Sequence, residues 1–125
     1  MTENELKQRT KRFALRVLAL VSALPTSVQS RAIGSQLIRS GTSVGANYRA
    51  ACRGRSRAEF IAKLGTVEEE SDECAYWMEL IIEAGLLSTT RVEPLLQEAR
   101  ELTAIMAASR LSASTSKFLN RKSKI

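Results

Sequence analysis

The chain is organised around Gln36-Leu37-Ile38-Arg39-Ser40-Gly41-Thr42-Ser43-Val44-Gly45-Ala46-Asn47-Tyr48. The periodicity of this stretch is helical, yet it is crowded with small and polar residues. A glycine inside a helix costs roughly 1 kcal/mol against alanine, and Gly41 and Gly45 both stand here, so packing must compensate for them. At about 100° per residue, Leu37, Gly41, Val44 and Tyr48 fall in one row, with Ser40 and Ala51 at its edge. Gln36, Ser40, Ser43 and Asn47 form a polar row on its shoulder. A solvated face would more naturally carry Lys and Glu. Short amides and hydroxyls point instead to buried hydrogen bonding against a close neighbour.

Working outward, this helix spans about residues 27–53. Thr26 and Gln29 make a capping-box pattern at its start, and Gly54 reads as a left-handed residue that ends it. Upstream, Leu6, Phe13, Val17, Leu20 and Leu24 recur at helical spacing over about 4–23, and Pro25 stops that helix. Downstream, Ser56 and Glu59 form a second capping box for a helix over about 57–84. Phe60, Leu64, Val67, Ser71, Cys74, Met78 and Ile81 follow it in alternating steps of four and three, a heptad seam. Gly85 and Leu86 fit a Schellman ending. Thr90 and Glu93 open a fourth helix over about 91–113, with Pro94 in its first turn and Val92, Leu95, Ala99, Leu102, Met106, Ser109 and Ala113 on one face. Residues 114–125, with Lys117, Arg121, Lys122 and Lys124, read as a mobile basic tail. Four amphipathic helices with short connections predict an all-α, antiparallel, up-down-up-down four-helix bundle in one domain over 1–113.

Composition supports a helical protein that needs no staples: the chain has 125 residues, two prolines and few aromatics. Its formal charge of +6 favours acidic partners, nucleic acid among them, and a basic solubilising surface is the plainer alternative. Cys52 and Cys74 lie far apart on inward positions and read as reduced core thiols. The apolar run Val17–Val21 is too short to span a bilayer, and no cleavage site follows it, which predicts a cytoplasmic chain without a membrane partner.

Three clusters are candidates for function. Trp77, Leu80 and Tyr76, with Ile61, lie off the seam of the third helix. They read either as a wide core stripe or as a subunit interface, and Leu80 beside Trp77 favours the interface. The acids Glu68, Glu69, Glu70, Asp72 and Glu73 sit in mid-helix, but the chain has no histidine, so a di-metal bundle site of the Glu-x-x-His type is excluded. The better reading is a buried polar network in which Gln36, Arg39, Ser43 and Asn47 supply donors to Glu70 and Glu73. Finally, Arg49, Arg53, Arg55, Arg57 and Lys63 crowd the turn between the second and third helices, and Lys11, Arg12 and Arg16 add cations from the first. Arginine forks suit phosphate, and each such contact adds affinity without reading sequence. No nucleophile elbow, phosphate-binding loop or cysteine with a neighbouring base is present, so no catalytic residue, metal or cofactor is assigned.

The run Ser35 to Tyr48, then Ser56-Arg57-Ala58-Glu59-Phe60-Ile61-Ala62-Lys63-Leu64, Glu70-Ser71-Asp72-Glu73 and Tyr76-Trp77, resembles the bacterial four-helix-bundle family of 23S rRNA intervening-sequence proteins. That family includes the accessory variability determinant of diversity-generating retroelements. The resemblance covers roughly Gln29 to Leu86, and Ala50 stands where the family pattern usually has an acid. It implies a barrel-like homopentamer with basic surfaces and, by way of the retroelement member, association with a reverse transcriptase and nucleic acid. The expected function is therefore that of a non-enzymatic, homo-oligomeric, nucleic-acid-binding accessory protein. A protein–protein assembly scaffold is the alternative.

Overall fold

The computed structural model describes the backbone of residues 1–123 and the side chains of residues 1–115. Four helices make up the fold: α1 (Glu3–Ser22), α2 (Val28–Cys52), α3 (Arg57–Glu83) and α4 (Thr89–Ser123), with no strand among the described residues. Their starts follow hydroxyl caps. Thr2 and Glu5 close a reciprocal capping box on α1. Ser27, one residue after the expected Thr26, accepts the Ser30 amide at 3.0 Å and starts α2. Ser56 accepts the Glu59 amide at 3.1 Å, while the Glu59 carboxylate turns back to the Arg55 amide at 3.0 Å. Ser88, not Thr90, caps α4, accepting the Arg91 amide at 3.3 Å. The earlier start moves Pro94 out of the first turn, where its missing N–H leaves one interior carbonyl without its helical bond.

The helix ends divide the two predicted cap glycines. Gly85 takes φ 69°, with the Leu86 and Gly85 amides donating to Ile81 and Ile82 carbonyls at 3.0 Å each, which is the Schellman pattern. Gly54 is not left-handed. A side chain there would place Cβ 3.0 Å from the Ala51 carbonyl oxygen and 3.3 Å from the Phe60 amide nitrogen. The residue is small because the α2–α3 turn folds tightly onto the first turn of α3. The fourth helix also continues past Ala113, where the sequence reading ends it. Nothing after Ala113 breaks a helix, since Ser and Thr are tolerated and the Thr115 hydroxyl bonds back to the Leu111 carbonyl at 3.0 Å. The side chains of the expected basic tail from residue 116 onward, and residues 124–125 altogether, lie outside the described residues.

The three glycines of α2 face α1. A Cβ on Gly41 would lie 2.8 and 2.9 Å from the two γ-carbons of Val17, one on Gly34 3.0 Å from Val21 Cγ1, and one on Gly45 3.2 Å from Thr10 Oγ1. The pairs Thr10–Gly45, Val17–Gly41 and Val21–Gly34 ascend along α1 as they descend along α2. Hence the close neighbour that offsets the glycines is α1, and backbone approach along the whole crossing is what they permit. The helices pack in ring order, α1 on α2, α2 on α3 and α3 on α4, and the ring closes most lightly between α4 and α1. The core is built from Phe13, Val17, Leu37, Val44, Leu64, Met78, Ile81, Leu96, Leu102 and Met106, each at most 2% exposed. Full burial of such a side chain contributes about 1.5–3 kcal/mol. The heptad seam of α3 is buried from Leu64 to Ile81, and Phe60 packs on the core from its edge.

Candidate nucleic-acid interface

The polar row of α2 forms two separate arrangements. Ser40 is fully buried; its hydroxyl donates to the Gln36 carbonyl at 3.0 Å and accepts the Cys74 thiol at 3.3 Å. Burial pushes the Cys74 thiol up to about 12, so it stays protonated. Ser43 and Asn47 do not reach Glu70. The Asn47 amide donates instead to the Ser43 hydroxyl at 2.7 Å and the Ser43 carbonyl at 3.0 Å, one turn back on the same helix. The four-residue spacing that aligns them toward α3 also aligns them with each other, and the local bond prevails.

Of the donors expected to meet Glu70 and Glu73, only Arg39 reaches them. Its guanidinium donates to Glu70 at 3.3 Å and to Glu73, and receives support from Gln36, whose side-chain oxygen lies 3.4 Å from Arg39 Nε. Arg39 is half exposed, so this network lies at the rim of the α2–α3 seam and is not buried as expected. The ion pair with Arg39 holds the Glu73 carboxyl below its ordinary range. Trp77 joins the same rim, donating its indole N–H to Glu73 at 3.2 Å. It is half-buried against the core, and Tyr76 meets it edge-to-face with ring centres 5.0 Å apart. Tyr76 is 54% exposed, whereas Leu80 and Ile61 are half-buried.

Cations divide into two populations. Arg9 forks onto Glu98 at 2.7 and 2.8 Å, tying α1 to α4. Arg110 donates to Glu68 at 3.0 Å, and Arg100 lies 3.6 Å from Glu79, tying α4 to α3. With Arg39 on Glu70 and Glu73, each of these arginines bridges one helix to the next. Lys11, Arg12, Arg16, Arg49, Arg53, Arg55, Arg57 and Lys63 form no ion pair with any described residue. All are exposed except Lys63, which is half-buried. These are the eight cations that the sequence singled out for phosphate.

The structure brings only some of them together. Lys11 and Arg49 line one groove between α1 and α2, joined by Lys7, which the sequence reading passed over. Arg57 lines a second groove with Phe60 of α3 and Ala108, Ser109, Ser112 and Ala113 of α4. Arg53 and Arg55 flank the turn between them, Arg53 as the cap of α2, where a cation also suits the helix C-terminus. Arg16 stands apart, in a shallow groove between α1 and α4 beside Arg91, a cation that no sequence signal marked. Among the described residues, no group of His, Cys, Asp or Glu is placed to hold a metal ion, and no helix is long and apolar enough to cross a membrane.

The fold and its surface thus define an all-helical, four-helix protein whose helix-bridging arginines are ion-paired and whose unpaired cations lie along several grooves and the α2–α3 turn. The chain belongs to the 23S rRNA-intervening sequence protein family, matching it over residues 2–108. Among solved structures it is similar to a protein of unknown function from the S23 ribosomal protein family of Bacteroides thetaiotaomicron. The two share 32% identity at a TM-score of 0.78, over 83% of this chain and 96% of that one. No curated protein matches it.

Proposed function

We propose that this chain is a non-enzymatic accessory protein that binds RNA or DNA through its unpaired cations, as an antiparallel four-helix bundle assembled into a homo-oligomer, a barrel-like homopentamer on the family resemblance. One observation carries the reading. The inter-helix arginines are paired with carboxylates, whereas the eight singled-out cations are left to solvent, an arrangement that costs self-repulsion and suits a polyanion. The descending order of the α1–α2 pairs supports the antiparallel arrangement, and exposed Tyr76 beside Trp77 supports the assignment of that rim to assembly. The family's link to rRNA insertions makes rRNA or a nucleic-acid enzyme such as a reverse transcriptase the partner to try first, inside the cytoplasm.

Binding of a labelled RNA of arbitrary sequence, measured across a salt series, tests this. Affinity should fall steeply with salt, and R53A/R55A/R57A should flatten the slope by about 2, at roughly 0.7 per phosphate on a single strand. Absent or salt-independent binding overturns the nucleic-acid reading. Native mass spectrometry reads the assembly, and a monomer at micromolar concentration would contradict it.

A further inference from the structure

Between α1 and α2 lies a groove of about 210 Å³ lined by Lys7, Thr10, Lys11, Ala14, Thr42, Gly45, Ala46 and Arg49. Its floor is low for a structural reason. Gly45 has no side chain, Thr10 packs where a Cβ would be 3.2 Å from its hydroxyl, and Ala14 and Ala46 are short. The threonine hydroxyls of the floor spend their protons on their own helices, which leaves contact with a phosphate to the cations. Thr10 donates to the Leu6 carbonyl at 2.8 Å and Thr42 to the Ile38 carbonyl at 2.7 Å. No acid lines the groove. Of its three cations, Lys7 is tied to Glu3 at 3.6 Å, one turn away, whereas Lys11 and Arg49 have no ion-pair partner among the described residues.

We propose that this groove is a phosphate subsite, in which Lys11 from α1 and Arg49 from α2 grip one phosphodiester of a bound nucleic-acid strand while the shallow Gly45 floor admits the backbone. The proposal rests on the nucleic-acid reading above and narrows it from a diffuse basic surface to a defined seat. Two helices contribute one cation each, so the seat exists only while the α1–α2 crossing holds. The guanidinium supplies a fork and the ammonium a mobile point charge, a pairing suited to a phosphate and indifferent to base identity.

The test compares K11Q/R49Q with R31E, which lowers the net charge by the same two units at an exposed residue outside both the groove and the eight-cation set. The probe is a labelled single-stranded RNA, with inorganic tripolyphosphate as competitor. K11Q/R49Q should weaken binding on the order of tenfold at 0.1 M salt, equally for unrelated sequences, and lower the salt slope by about 1.4. R31E should leave the slope unchanged. Unaltered melting curves for both variants establish that folding is not the cause. If the wild type binds RNA and K11Q/R49Q binds it equally well, or if R31E matches its loss, the groove assignment is wrong while the nucleic-acid reading stands. A groove that takes tripolyphosphate through Lys11 and Arg49 but does not contribute to RNA binding would overturn the phosphodiester assignment in favour of a free polyphosphate. A wild type that binds no RNA refutes both readings together.

Discussion

Replacing Gly41 with alanine should destabilise this protein, although the same change in a free helix stabilises by about 1 kcal/mol. The reason is geometric. The new Cβ would lie 2.8, 2.9 and 3.1 Å from three carbons of Val17, a β-branched side chain that is fully buried and has no flexible end to swing aside. Overpacking of this kind costs roughly 1–3 kcal/mol, so the net change for G41A is between about zero and 2 kcal/mol of lost stability. Gly65 offers the contrast within the same molecule. A Cβ there meets nothing nearer than Arg110 Cδ at 3.8 Å, so G65A should keep the propensity gain of about 1 kcal/mol. Trimming the two γ-carbons leaves only the Cβ contact at 3.1 Å, so in a V17A background G41A should cease to destabilise and should stabilise by up to about 1 kcal/mol. The resulting double-mutant coupling is up to about 3 kcal/mol. Urea denaturation followed by circular dichroism reads all five proteins. Equal stabilisation by G41A and G65A, or a coupling below about 0.5 kcal/mol, would refute the close crossing of α1 and α2.

Two further perturbations probe the rim and the core. In R39L the Glu73 carboxyl should titrate nearer its ordinary value, because the guanidinium that holds it down is gone. A lowered folded-state value contributes stability above the ordinary carboxylate range and loses it as pH falls through the folded value. The stability gap between wild type and R39L should therefore be open at pH 7 and close below the ordinary value of 4.5; a gap independent of pH would contradict the ion pair. Cys74, pushed up to about 12 by burial, binds its proton more tightly folded than unfolded, so its contribution is full at neutral pH and declines as pH rises from 9 toward 12. Native protein should accordingly lose melting temperature across that alkaline window and react with a thiol reagent at Cys52 before Cys74, and equal labelling rates would argue against the Ser40–Cys74 packing.

Most of the fold was legible because it rests on periodicity. The rows Leu37–Gly41–Val44–Tyr48 and Leu64–Val67–Ser71–Cys74–Met78–Ile81 are buried as their spacing dictates. Cap positions slipped by a residue or two, to Ser27 and Ser88, because several hydroxyls near each helix start compete for the same amides and the sequence does not rank them. The partners of the polar row were not legible. Spacing shows that Ser43 and Asn47 share a face, but it cannot decide between a bond along the helix and one across to α3, and the local bond forms. Gly54 was read for its conformation and proved to matter for its size. Thr10 escaped notice because a lone threonine on an apolar face carries no pattern; only the Gly45 contact shows why it is there.

The glycine row links the fold to the surface proposed for function. Had the α2 stretch carried leucines at positions 41 and 45, α1 would stand off by the width of those side chains, and Lys11 and Arg49 would sit over a filled ridge. With glycine at both, the backbones meet at Val17 and Thr10, and long cations flank a floor of alanine and threonine. The helix-propensity cost of roughly 1 kcal/mol per glycine is thus offset by packing against α1, and the same approach shapes a basic groove that neither helix could form alone. Charge pairing separates the two roles further. Arginines that bridge helices spend their forks on Glu98, Glu70, Glu73 and Glu68, and those around the α2–α3 turn keep theirs open. Changes in the first set should therefore move stability with little effect on the salt slope of binding, and changes in the second should do the reverse.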